Sequence, residues 1–297
     1  MDLSMWSNFY YDLPFDIALK KIKENGFDYC ELSDTHFISI IEKKQLDELI
    51  KVKKIYNIKT PQIHAPISSI YEDPNKPVVE RLVDFADFRE EIRKREIDCI
   101  IEWIEYCKIV GIECIVVHPG GLKGYNDFFE YKKIQQYNIE GFKKIGEKCE
   151  KEKIKIAIEN LGGKPPKGKN MPYIKVEELL DLIEKVGSKY IGICIDTSHA
   201  NISKVNIPEF MEIAKEKIYA THISDNLGKN DDHLCPFSGK INWDEVINSF
   251  KKIKYNGIFN FEIPGEVRCP LEIRDIKIQY IFKIGEYLVS KNDRDRK

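Results

Sequence analysis

The sequence predicts an α/β fold, a single-domain (β/α)8 TIM barrel over residues 1–297. Three observations carry this. Eight short apolar runs alternate with longer amphipathic segments from end to end, without a break in composition. Several runs, Ile193-Cys194-Ile195 among them, are continuously apolar, as suits strands buried on both faces of a parallel sheet. The length of 297 residues fits one barrel of about 250 residues plus loop insertions. A doubly wound open sheet is the alternative. Its nucleotide-binding form needs a glycine-rich fingerprint after the first strand, and none is present.

The elements follow in order. The first strand is read over Leu3–Asn8, and Pro14 opens a helix over Asp16–Asn25. Strand two is Tyr29–Asp34, followed by a loop, Thr35 to Ser39, and a helix over Glu42–Tyr56. Strand three is Pro61–Ala65. After it comes the largest insertion, Ser68 to Phe88, in the position where loops cover a barrel's active-site mouth. Ile97, Ile101, Ile104 and Cys107 mark a helical stripe that ends at Gly111. Strand four, Cys114–His118, leads to a helix over Asp127–Lys153. Strand five, Lys155–Leu161, precedes the stripe Val176, Leu179, Leu180 and Ile183, which Gly187 stops. Strand six is Ile191–Thr197 with a helix over Pro208–Lys217. Strand seven is Tyr219–Ser224 with a helix over Trp243–Tyr255. Strand eight is Ile258–Ile263 with a helix over Leu271–Ser290.

Composition narrows the function. Lys and Arg number 47 against 49 Asp and Glu, a net charge of −2. That disfavours a strongly basic nucleic-acid binder and leaves room only for a local basic groove. No run approaches the roughly 20 apolar residues of a membrane span, and Met1 to Leu13 lacks the pattern of a secretory signal. The eight cysteines form no Cys-x-x-Cys pair, so they read as free thiols in a reducing cytoplasm. Cys235, beside His233 in a polar loop, is the one to watch. Abundant Lys, Glu and Ile fit a thermophile, and an AT-rich genome would produce the same bias.

Five of the six histidines fall at strand ends or in the loops just after. His64 ends strand three and His118 ends strand four. Glu159 ends strand five, Asp196 and His199 end strand six, and His222 ends strand seven. Asp231 and His233 follow in its loop, and Glu262 ends strand eight. Each alone would read as a hydrogen-bonded strand end. Nine acids and imidazoles at six consecutive strand ends, converging on one mouth, read as a shared metal site. Carboxylates and imidazoles without thiolates suit Mn²⁺, Co²⁺, Mg²⁺ or Zn²⁺. Glu159, Asp196, His222 and Glu262 could surround one ion. His64, His118, His199, Asp231 and His233 would then bind substrate or hold further ions. Trp6, near the end of strand one, could stack on an apolar face of the substrate or plug the barrel. Glu31 could orient substrate or pair with a neighbouring Lys or His, and His36 reads as lining its loop. Trp103 and Trp243 read as core. Gly162-Gly163-Lys164 is a weak phosphate-loop signal.

These residues resemble the xylose-isomerase-like barrel superfamily of sugar isomerases, ketose 3-epimerases and endonuclease IV-type nucleases. The motifs that carry the likeness are Ile158-Glu159-Asn160, Ile195-Asp196-Thr197-Ser198-His199 and His222-Ile223-Ser224-Asp225-Asn226. The run from Asp231 to His233, through Gly239 to Trp243, and Phe261-Glu262 complete them. The resemblance covers essentially the whole chain and implies that Glu159, Asp196, His222 and Glu262 are the four metal ligands. In the epimerase branch Glu159 and Glu262 are also the acid/base pair. A divalent ion chelated by a ketose carbonyl and hydroxyl acidifies the C–H between them. One carboxylate removes that proton and the other returns one to the opposite face. His199 resembles the histidine beside the substrate oxygens.

Epimerases carry an arginine a few residues after the strand-seven histidine, where this chain has Leu227-Gly228-Lys229; Lys229 could substitute, without the guanidinium fork. Phe237 stands in the family's Gly-x-Gly loop as a pocket wall or a loop anchor. The alternative that the resemblance implies is an abasic-site phosphodiesterase. All nine residues match positions that hold three zinc ions in endonuclease IV. Against it, Ile67 stands where that family has a DNA-penetrating tyrosine, and the loop after strand two has no arginine. The loop from Ser68 to Pro77 holds Glu72, Asp73 and a single Lys76, while Arg89, Arg93 and Arg95 are interleaved with acids. The expectation is therefore a cytoplasmic, metal-dependent isomerase or epimerase of a small sugar or sugar phosphate, with homo-oligomerisation open.

Overall fold

Alternation within each strand decides what lies inside the barrel and what faces the helices. The computed structural model describes residues 1–71, 79–163 and 167–294. Glu72, Asp73, Lys76 and Lys164 lie outside them. The first five strands are β1 (Asp2–Trp6), β2 (Tyr29–Leu32), β3 (Lys59–His64), β4 (Ser68–Tyr71) and β5 (Val79–Leu82). The next five are β6 (Cys114–Val117), β7 (Lys155–Glu159), β8 (Ile191–Asp196), β9 (Ile218–His222) and β10 (Ile258–Phe261). Eight of them form one parallel sheet in the order β10-β1-β2-β3-β6-β7-β8-β9. The ring closes between β9 and β10 through a bridge from Ile223 to Phe261. There Ile223 N donates to Asn260 O at 2.8 Å and Glu262 N donates to Ile223 O at 3.2 Å. The Thr221 hydroxyl fills the remaining ladder position, donating to Ile258 O and accepting from Asn260 N. This is the predicted TIM barrel.

The helices are α1 (Phe15–Glu24), α2 (Asp34–Glu42), α3 (Leu46–Tyr56), α4 (Glu90–Val110) and α5 (Phe128–Glu152). They continue with α6 (Val176–Val186), α7 (Thr197–Ile202), α8 (Ile207–Ala214), α9 (Trp243–Lys252) and α10 (Leu271–Arg294). Their apolar stripes, with Leu19, Ile104, Phe142, Leu179 and Ile247, pack on the outward strand residues Met5, Ile63, Ile115, Ile156 and Ile193. A fully buried aliphatic side chain of this kind contributes about 1.5–3 kcal/mol. The barrel interior holds a separate set of smaller side chains, Cys114, Val116, Ala157, Cys194 and Ala220. Among the described residues no helix is long and apolar enough to cross a membrane.

Three local features differ from the sequence reading. The stretch after strand two is the helix α2, not a loop. Ser33 caps it, its hydroxyl accepting from His36 N, and Phe37 and Ile40 bury one face. The insertion after β3 carries the antiparallel pair β4 and β5. Residues read as the end of strand six begin α7, capped by Asp196.

Candidate metal centre

The last inward side chain of each strand points into the mouth, so successive strands deliver ligands to one place. Ligand atoms of Glu159, Asp196, His222 and Glu262 all lie within 4.8 Å of one another. His222 Nδ1 stands 3.2 Å from both Glu159 Oε2 and Glu262 Oε2. All four residues are buried. Both Glu159 oxygens, Asp196 Oδ2, Glu262 Oε2 and His222 Nδ1 lack a hydrogen-bond partner. Three buried carboxylates facing one imidazole form a donor set short of positive charge. A hard or borderline divalent cation fits that deficit.

Two further groups flank this floor. His64 Nε2 and His118 Nε2 approach Glu159 Oε2 at 3.5 and 3.4 Å, and the three residues form a second metal-sized cluster. At the rim, Asp231 Oδ2 accepts from His199 Nε2 at 3.1 Å and His233 Nε2 at 3.0 Å. Asp196, His199 and His233 form a third group within the same span. All nine predicted acids and imidazoles are thus brought together.

The electrostatics follow from burial and pairing. Burial alone would depress the His64 imidazole, but the Glu159 carboxylate 3.5 Å away lifts it to about 9. Burial raises the Asp196 carboxyl to about 8. It works against the Glu262 charge too, but His222 and His233 prevail and hold that carboxyl down at about 2. Against burial, Glu262 and Asp231 lift His233 to about 10.

Local geometry fixes the ligands. Asp196 Oδ1 accepts from His199 N at 2.7 Å as the cap of α7, which leaves Oδ2 for the mouth. Asn160 clamps the same strand end, donating to Asp196 O and accepting from Asp196 N. Gly162 is a glycine because His199 sits on it: a Cβ there would lie 2.5 Å from His199 Cα. That assigns the Gly162-Gly163 pair to packing. The loop bearing Asp231 and His233 hangs on Asp225. This buried carboxylate accepts from the backbone N of Asn226, Gly239 and Ile241 and from Trp243 Nε1 at 2.9 Å. Ser198 Oγ donates to Asp231 Oδ1 at 2.7 Å. The sequence reading assigned no role to Asp225. Its signal was an acid three residues beyond the end of β9, with a tryptophan downstream.

The remaining candidates separate. Trp6 is buried at the mouth, its ring 6.4 Å from His64. Lys229 is exposed in the loop after β9, and the cluster is built without it. Phe237 is half exposed against Tyr287 of α10, outside the cluster. Glu31 is buried and paired with His222 Nε2 at 3.1 Å. His36 is pinned between Ser7 Oγ and Leu13 O. Trp103 and Trp243 are core. Burial pushes the Cys235 thiol up to about 12, so it is not a poised thiolate.

Two solved structures share this architecture, and a further protein is similar in sequence. A D-tagatose 3-epimerase-like protein is 26% identical, with both chains covered in full and a TM-score of 0.79. The IolI protein, whose crystal structure holds a zinc atom, is 20% identical over 98% of this chain and 99% of that one, with a TM-score of 0.80. A probable endonuclease 4 of Mesomycoplasma hyopneumoniae is 29% identical over 185 residues, 58% of this chain and 62% of its own. The family model for the xylose isomerase-like TIM barrel matches residues 19–278, and the chain belongs to that family.

Proposed function

We propose that the protein is a divalent-metal-dependent isomerase of a small carbohydrate, acting as a ketose 3-epimerase. One observation carries this reading. Glu159 from β7 and Glu262 just beyond β10, from strands three places apart round the ring, both stand 3.2 Å from His222 Nδ1. Proton removal and return on the two faces of one carbon need two such buried carboxylates at one centre. Glu159, Asp196, His222 and Glu262 would hold Mn²⁺, Co²⁺ or Mg²⁺. When bound, such an ion neutralises the charge that develops on the chelated substrate oxygens. Glu159 and Glu262 move the proton, His199 and His118 face the substrate oxygens, and Trp6 and His64 wall the dry side. Incubation with a ketose in deuterated water tests this. Deuterium at C3 and a C3 epimer are the expected products, and no exchange with any metal-loaded ketose sample would sink the reading.

A second reading rests on the two flanking clusters. His64 and His118 beside Glu159, and Asp196 with His199 and His233, add two metal-sized groups to the floor, and Asp231 lies between the last two imidazoles. That is the donor set for a trinuclear zinc phosphodiesterase. The arginines beyond the hairpin favour the sugar enzyme, because they are engaged locally. Arg89 pairs with Asp87 at 2.8 Å, Arg93 stacks on Tyr137 at 3.7 Å, and Arg95 pairs with Glu96 at 2.6 Å. Metal counting separates the two: about one ion per chain for the epimerase, three zinc ions with cleavage of an abasic duplex for the nuclease.

A further inference from the structure

Beneath the floor lies a buried carboxylate that neither reading uses. Glu31 is on β2, has no exposed surface, and reaches across the barrel interior to β9. Its Oε2 accepts from His222 Nε2 at 3.1 Å, a contact between residues 191 positions apart. The same oxygen accepts from Gln62 Nε2 on β3. Gln62 is itself 2% exposed. His222 covers Glu31, so this carboxylate does not meet substrate at the mouth.

We propose that Glu31, held by Gln62, is a positioning residue that fixes the ring tautomer of His222 and thereby sets the metal affinity of the centre. The assignment rests on the metal-binding reading given above. A neutral imidazole carries one N–H and one lone pair. A carboxylate facing Nε2 places the N–H there and leaves the lone pair on Nδ1. That is the nitrogen facing Glu159 and Glu262, 3.2 Å from each. The opposite tautomer would set a lone pair against the Glu31 carboxylate and turn an N–H toward the cation. The negative charge behind the ring also makes Nδ1 a stronger donor to a metal. Gln62 completes the device, because a glutamine beside a carboxylate can offer it only the NH₂ end.

The test is the affinity of the whole protein for Mn²⁺ and Zn²⁺, each measured by competition with a chromophoric chelator. Glu31→Gln keeps the shape and an acceptor oxygen but loses the charge. It should weaken binding by about 10- to 100-fold, with the far-ultraviolet spectrum and the melting of the metal-free protein little changed. Gln62→Leu leaves the carboxylate in place but unheld and should cost less. In nitrogen-15 spectra of the zinc-loaded wild type, His222 should show a protonated Nε2, and Glu31→Gln should shift that signal. A wild type that binds metal and a Glu31→Gln variant that binds it within twofold would overturn the role of Glu31 alone. A wild type that binds neither ion would overturn the metal reading and this assignment with it.

Discussion

The floor and the rim of the site are built from the same two side-chain types, yet they balance charge differently. At the rim one carboxylate, Asp231, lies between two imidazoles, His199 and His233, and accepts from both. Their side chains are 33%, 12% and 19% exposed. Water and internal pairing together satisfy that group. The floor has three carboxylates for one imidazole, and its side chains are at most 5% exposed. Its facing atoms, both Glu159 oxygens, Asp196 Oδ2 and Glu262 Oε2, have no hydrogen-bond partner. Ligand chemistry alone does not separate a site that demands a cation from one that can do without. Charge count and access to solvent do.

That contrast can be broken by experiment, starting where the effect is largest. Glu159→Gln and Glu262→Gln should each lower kcat by about 10²- to 10⁴-fold. Near-native turnover by either variant in a ketose assay would remove the two-base mechanism. Chelation should abolish activity and destabilise the fold. An ion present at a hundred times its Kd stabilises by about 2.7 kcal/mol, and calorimetry with and without chelator reads this. Asp231→Asn at the self-balanced rim should reduce turnover by about tenfold and leave the floor ion in place. A metal count falling from three to two in that variant would instead support the trinuclear reading.

Stability should also depend on pH in the metal-free protein. His64 sits at about 9 folded against 6.5 ordinarily, so its pairing stabilises fully below 6.5 and is lost as pH rises through 9. Asp196, raised by burial to about 8 from 3.8 ordinarily, acts in the same direction: stability is lost as pH rises from 3.8 toward 8. Glu262 works oppositely: its contribution is present above 4.5 and is lost as pH falls toward 2. The melting temperature should therefore fall between pH 6.5 and 9 without metal. A flat profile there would show that His64 does not face the Glu159 charge, and Asp196 is not buried, as described. The smallest effect is expected from Trp243→Phe. It removes one of the four hydrogen bonds to the Asp225 carboxylate, whose Oδ2 keeps the bond from Gly239 N, and should cost about 1.5 kcal/mol, the lower end for a bond to a charged group.

The convergence of these acids and imidazoles was legible because barrel strands repeat every two residues and end on one face. An acid or histidine closing an apolar run, as Glu159 closes Ile156-Ala157-Ile158, therefore has a predictable place. The partner of His222 was not legible. Glu31 lies within the short run Tyr29–Leu32, and only the three-dimensional closure of the barrel brings β2 within reach of β9. The helix α2 was missed because its apolar stripe is short and Ser33 and Asp34 look like turn residues until the cap is seen. Asp225 was unassigned because its four donors come from residues up to 18 positions downstream, on a loop without periodicity.

The closing seam of the barrel gives the floor a second meaning. Between β9 and β10 the ladder is thin: one bridge, two backbone hydrogen bonds and a threonine hydroxyl standing in for a third. His222 and Glu262 rise from opposite sides of that seam, 3.2 Å apart. A cation gripping both would rivet the hoop where its own stitching is sparsest. Loss of the ion should then be felt first as faster amide exchange at Ile223 and Glu262, before any change elsewhere in the ring.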